Sequence, residues 1–187
     1  MANSRDDVGV RLQQAALGLF RERGYDQTTA AEIAARAGVT ERTFFRYFPD
    51  KREVLFDGES RLEAALAASI AEAPDGLGAL DMLFRAFRSV QSLLEGNRPF
   101  SGPRHEIISS TPALHERELA KIAALTDALA EALKARGVPD LQAALAARAG
   151  VAAFAHATSC WLEDPSLGLG DRIDLAYREL GELLGRG

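Results

Sequence analysis

Between Thr29 and Lys51 the chain concentrates groups that can bond phosphate oxygens and base edges. Arg42 carries a planar guanidinium, which can bond the O6 and N7 of a guanine together. Glu41 can accept from a cytosine amino group, or merely hold Arg42 in place. Tyr47 and Lys51 come later, where phosphate contacts are expected. Thr29 and the amides after it offer a helix N-terminus to a further phosphate. Phe45 and Arg46 complete the outward side of the stretch.

Such groups work only if short helices hold them in register. Thr29 and Glu32 form a T-x-x-E capping box, in which each residue satisfies a donor of the other. Ile33, Ala34 and Ala37 then share one helical face. Gly38 stands where a left-handed residue ends a helix. Val39 plugs the turn, and Thr40 caps the next helix. Phe44 and Phe48 are four apart, share a face and are expected to be buried. Pro49 stops that helix, because the residue before proline avoids the α region. Two short helices joined by a tight turn are the layout of a helix-turn-helix reader. The plainer alternative is a helical pair with a solvated polar face.

The full string Thr28–Leu55 resembles the amino-terminal domain of the TetR family of bacterial transcriptional regulators. The matching residues are Thr28-Thr29, Ile33-Ala34, Ala37-Gly38-Val39-Thr40, Thr43-Phe44-Phe45, Tyr47-Phe48, Lys51 and Glu53-Val54-Leu55. Ala15–Phe20 and Gly24-Tyr25 match the end of the family's first helix. The resemblance implies phosphate contacts from Thr29, Thr43, Tyr47 and Lys51, and base contacts from Glu41 and Arg42. Phe45 departs from the pattern: many members carry tyrosine there, and its hydroxyl-to-phosphate bond is missing. The Phe45 ring can instead pack on the sugar backbone or on a thymine methyl.

Net charge is −5, which alone argues against a nucleic-acid partner. Its distribution argues otherwise. Residues 1–52 hold nine Lys/Arg against seven Asp/Glu, and the remainder holds thirteen against twenty. Local sign sets phosphate attraction, while an acidic remainder suppresses non-specific sticking. With 187 residues, 47% of them hydrophobic, the chain can bury a substantial core. No apolar run is long enough to span a bilayer, and MANSRDDVGV lacks the apolar core of a signal peptide. A cytoplasmic protein without membrane association is expected. Cys160 is the only cysteine, so no intrachain disulfide forms. It reads as a buried structural thiol.

Helical periodicity runs almost without interruption and strand signals are absent, which predicts an all-α fold of about nine helices. Val8, Leu12, Ala15, Ala16, Leu19 and Phe20 mark the buried face of the first. A fourth helix is expected from Lys51 to about Ala73, capped by Asp50. A fifth runs from Leu77 to about Leu94. Arg98–Ser110 is expected to be irregular or short-helical, because Pro99 and Pro103 interrupt it. Helices from Pro112 to Arg136, Leu141 to about Leu162, and Asp171 to about Leu184 complete the chain. The domain division predicted is 1–50 for the reader and 51–187 for a helical ligand-binding and dimerisation domain.

Phe84, Phe87, Phe100, Phe154 and Trp161 lie on helices that can surround one bundle interior. They serve either as ordinary core or as the lining of a ligand pocket. His105, His115 and His156 lack metal-binding spacing, and His156 is expected to be a hydrogen-bonded core residue. The run Arg104-His105-Glu106, Ser109 to Leu114, Arg117 to Leu119, together with Trp161 to Asp164, is similar to the regulatory domain of the TetR subgroup that includes the mycofactocin regulator. That resemblance implies an effector of acyl-coenzyme A type. Apolar helices can hold its chain, and Arg98 and Arg104 can either meet its phosphates or stand as solvated surface charges. Ala152, Ala153, Ala157 and Ser159, with Leu175, Leu180 and Leu184, can either form a homodimer interface or close the monomer's own core, and the family resemblance implies a four-helix dimer interface.

These readings predict a ligand-responsive repressor that binds a pseudo-palindromic operator as a homodimer and uses no cofactor or metal. No GxSxG, HExxH, Cys/His pair or phosphate loop supports catalysis. The alternatives are a ligand-independent DNA-binding regulator and an enzyme acting on an acyl substrate.

Overall fold

The computed structural model describes residues 4–185, with side chains from Asp7 onward. Residues 1–3, part of the stretch read for a signal peptide, and 186–187 lie outside the described residues. Within that range every regular element is a helix. The α-helices are α1 (Ser4–Arg23), α2 (Ala30–Arg36), α3 (Glu41–Tyr47), α4 (Glu59–Ala71), α5 (Ala79–Ser89), α6 (Gln91–Gly96), α7 (Arg98–Ser110), α8 (Pro112–Ala135), α9 (Asp140–Glu163) and α10 (Leu169–Leu183). A 3-10 turn, Glu53–Leu55, precedes α4.

The helices fall into two compact units. Of the described residues, the first comprises 4–58 and 103–116. Leu12, Ala16 and Phe20 of α1 meet Ile33 and Ala34 of α2 and Phe44 of α3 in its core, all buried. Residue 50, where the reader was expected to end, falls inside this unit. The fourth helix also differs from expectation. Val54, Leu55 and Phe56 are consecutive and all buried, a pattern that no single face of an α-helix provides. The chain therefore coils tightly there, with Asp50 capping the 3-10 turn rather than a long helix. Its carboxylate accepts from the amides of Arg52 at 2.7 Å and Glu53 at 3.1 Å. Gly58, with φ of +94°, then makes a left-handed break that a side chain would resist. The next helix, α4, has 13 residues, about 20 Å at 1.5 Å per residue.

Of the described residues, the second unit comprises 59–102 and 117–185. Its core joins Leu66 and Ile70 of α4, Leu83 and Phe87 of α5, Leu129 and Leu133 of α8, Val151 and Trp161 of α9, and Ile173 of α10. The expected fifth helix divides at Val90, whose φ and ψ of −96° and 1° leave the α region. This break gives ten α-helices among the described residues where about nine were expected. Pro99 sits in the first turn of α7, where a missing N–H costs nothing. Pro103 lies inside the helix, and α7 continues past it.

Along α9, Phe154, Ala157 and Trp161 turn inward. Three expectations change there. His156 is exposed rather than in the core, and Cys160 is half-buried rather than buried. The two also meet as a Cys/His pair, with Sγ 3.6 Å from Nε2. Alanines surround this helix on every side, so its apolar pattern did not define which face is inward. Of the residues expected at a dimer interface, Ala157 is buried, and Ala153 and Leu180 pack against the unit's own core. Leu175 and Leu184 are exposed, as are Leu141, Leu145 and Leu183. No helix among the described residues is long and apolar enough to cross a membrane.

Candidate nucleic-acid interface

The seven-residue α3 carries six of the sequence-predicted reader residues, Thr40 caps it, and Thr29 caps the equally short α2. Helices this short are marginal alone, so their ends must be held from outside. At the start of α2 the capping box is complete. Thr29 Oγ1 accepts from the Glu32 amide at 3.2 Å, and Glu32 Oε2 accepts from the Thr29 amide at 2.9 Å. The Thr29 amide and hydroxyl hold the Glu32 carboxyl below the usual carboxylate range. At the other end Gly38 takes φ of +71°, and the Val39 amide donates back to the Ala34 carbonyl at 3.0 Å. Thr40 caps α3 by accepting from the Thr43 amide at 3.2 Å, and the two threonine hydroxyls lie 3.0 Å apart.

Two cations fasten α2 from either side. Arg11 on α1 donates to the Ala37 carbonyl at 2.8 Å, where the helix leaves its carbonyls unpaired. Lys51 donates from Nζ to the carbonyls of Tyr25 at 2.8 Å and Thr28 at 2.9 Å, just before α2 begins. The same ammonium lies 4.1 Å from the centre of the Tyr25 ring. Lys51, expected to meet phosphate, also clamps the α1–α2 loop. Arg11 was not singled out in the sequence. A cation one helix away from a helix C-terminus is a weak signal until the packing is known. On the outer surface Arg36 pairs with Glu22 through two hydrogen bonds, at 2.9 and 2.7 Å. The Arg36 hydrogen bond lowers the Glu22 carboxyl.

On α3, Phe44 is buried and touches Phe48 and Phe45, the latter edge-on at 5.4 Å between ring centres. Glu41, Arg42, Phe45 and Arg46 are exposed, and Thr43 and Tyr47 are half-buried. The Arg46 guanidinium lies over the Tyr47 ring at 5.5 Å. Glu41 makes no ion pair with Arg42 among the described residues, so it does not hold that guanidinium in place. The exposed strip therefore presents a fork of donors, a bare aromatic ring and a second cation. Fork-shaped donors suit guanine, and the ring suits apolar surface.

The residues expected to line a ligand pocket do not form one set. Phe84, Phe87 and Phe154 come together in the second unit. Phe87 stacks on Phe154 at 4.3 Å and meets Phe84 edge-on at 5.4 Å. Trp161 is buried in the same core, with the Arg98 guanidinium 5.4 Å from its ring centre. Arg98 also donates to the Leu162 carbonyl at 3.3 Å, and its buried Nε has no hydrogen-bond partner among the described residues. Phe100 is half-buried. Arg104 and His105 belong to the first unit. There Arg104 donates to the Leu55 carbonyl at 2.5 Å and lies over the Phe56 ring at 4.9 Å. Of the two arginines read as phosphate partners, Arg104 is thus engaged by the 3-10 turn. No group of three metal-ligating side chains occurs among the described residues.

Comparison with known proteins bears on both units. Residues 12–57 match the family model described as bacterial regulatory proteins, tetR family. Residues 77–185 match that of the MftR C-terminal domain. The regulator TcmR of Streptomyces glaucescens is 33% identical over 153 residues, 77% of this chain. That match spans 66% of TcmR, just under two thirds of its length. The putative mycofactocin biosynthesis regulator MftR of Mycobacterium tuberculosis is 23% identical over 97% of this chain and 93% of its own. Among solved structures, Thermus thermophilus FadR, a TetR-family repressor in complex with lauroyl-CoA, superposes with a TM-score of 0.60. It is 28% identical and covers 92% of each chain.

Proposed function

We propose that this chain, which belongs to the tetR family of bacterial regulatory proteins and carries an MftR-type C-terminal domain, is a homodimeric repressor released from its operator by an acyl-coenzyme A. As a family member it is a DNA-binding transcriptional regulator; the dimer, the sign of regulation and the ligand are our reading. The observation that carries it is the exposed strip of α3, set beside a complete capping box on α2. Arg42 and Glu41 read base edges. Thr29, Thr43 and Tyr47 meet phosphates, and Thr40 and Arg46 frame them. One helix of this length contacts too few bases for useful specificity. Two copies reading a pseudo-palindrome supply the rest, with half-site centres about 34–36 Å apart or a multiple of it.

The lauroyl-CoA held by FadR supports an acyl-coenzyme A effector here. The aromatic cluster of Phe84, Phe87 and Phe154 offers the chain an apolar environment, and Arg98 beside Trp161 offers a cation to an anionic head. Release requires that the ligand bind the DNA-incompetent arrangement more tightly, since equal affinity shifts nothing. A coupling of about 1–3 kcal/mol lowers operator affinity roughly 5–150-fold, and operator DNA then weakens ligand binding by the same factor. The test is to select the operator from random duplexes and titrate lauroyl-CoA by calorimetry with and without it. Equal ligand affinity in both refutes release by this ligand. Absence of any preferred duplex refutes the operator reading itself.

A further inference from the structure

We infer that Phe45 makes operator recognition depend on the 5-methyl group of a thymine beside the guanine read by Arg42. The inference rests on the reading that α3 enters the major groove. Phe45 is 50% exposed, although it is one of the largest apolar side chains of its unit. Its edge-on contact with buried Phe44 anchors one side of the ring and leaves the other bare. The ring has no hydroxyl and can neither donate to nor accept from a phosphate. In a major groove the apolar features at the base edges are pyrimidine 5-methyl groups, and an aromatic ring packs on a thymine methyl there.

The position of Phe45 on the helix narrows the choice of base. Residues three apart on a helix are neighbours, with Cβ atoms about 5–6 Å apart. Arg42 and Phe45 have that spacing and are both exposed. Bases along one strand are about 3.4 Å apart. A guanidinium bonded to guanine therefore leaves the Phe45 ring one or two base pairs away.

The experiment replaces each thymine of the selected operator in turn by deoxyuridine, which removes only the methyl group. Binding of the full chain is followed by fluorescence anisotropy. Wild-type protein should lose about fourfold in affinity at one position per half-site, the effect of one methyl's burial, and about fifteenfold when both are changed. Phe45→Ala should bind the thymine and uracil operators equally, and Phe45→Leu should keep part of the difference. Circular dichroism verifies that both variants fold. An operator bound tightly with no uracil penalty anywhere overturns the inference while leaving the regulator reading intact. A penalty that persists in Phe45→Ala assigns the methyl to another residue and overturns it as well. Failure to prefer any duplex overturns both.

Discussion

Replacing Lys51 by methionine keeps the length of the side chain and removes its charge. If Lys51 only met DNA phosphate, the free protein would not notice. The structure demands otherwise, because Nζ donates to two backbone carbonyls at 2.8 and 2.9 Å and sits over the Tyr25 ring. A hydrogen bond to a charged donor contributes about 1.5–3 kcal/mol when sheltered, and an exposed cation–π contact about 0.5–1 kcal/mol. Lys51 is only half-buried, so water takes over part of each bond when it is lost. The net loss is about 2 kcal/mol. For a chain of this size that lowers the melting temperature by about 4–8 °C. Differential scanning calorimetry of the protein without DNA measures it directly. A salt titration of operator binding supplies the contrast, since each phosphate contact removed flattens the logarithmic slope by about 0.9. A Lys51→Met protein that melts within a degree of wild type, with a flatter salt slope, would refute the clamp and restore a purely electrostatic role.

Arg42→Ala should relax base preference at one operator position per half-site by about 1–3 kcal/mol, read from a panel of operator variants. Gly150→Val should destabilise the second unit by about 1–3 kcal/mol in urea unfolding, because a Cβ added there would lie 3.0 Å from Leu83 Cδ1 and 3.6 Å from Phe87 Cε2. Acid should weaken the reader unit. Arg36 depresses Glu22, Thr29 depresses Glu32 and Arg52 depresses Asp50, so the unfolded chain takes up protons first. Their contribution is complete above the ordinary carboxylate range and fades as pH falls below about 4; an unfolding midpoint unchanged between pH 7 and 3 would contradict this. Leu145→Asp should yield a folded monomer by sedimentation, because Leu145 is 58% exposed on α9; Leu180, packed against the core, would report misfolding instead.

The reader was legible because local chemistry decides it. Thr29 and Glu32 cap each other, Gly38 supplies the left-handed turn, and Phe44 and Phe48 can face only inward. The chain beyond Pro49 was less legible. The run Val54-Leu55-Phe56 looks like the start of a helix, yet burying all three side chains requires a tighter coil. Pro103 suggested a break that α7 does not make. The positions of Arg11, Lys51 and Arg104 depend on carbonyls 23 or more residues away in sequence. Such partners are invisible to periodicity. In α9 the opposite problem arises: alanine on every side leaves the choice of face to packing, which put His156 outside.

The clamps on α2 also bear on how a protein of this design can change its target. Arg11, Lys51 and the Thr29–Glu32 box fix the placement of the helical pair from behind. Arg42, Phe45 and Arg46 face outward and contribute little to that placement. Substitutions at these three positions can therefore accumulate without unfolding the unit. Duplicated copies of such a gene can drift to new operators through viable intermediates, one outward side chain at a time.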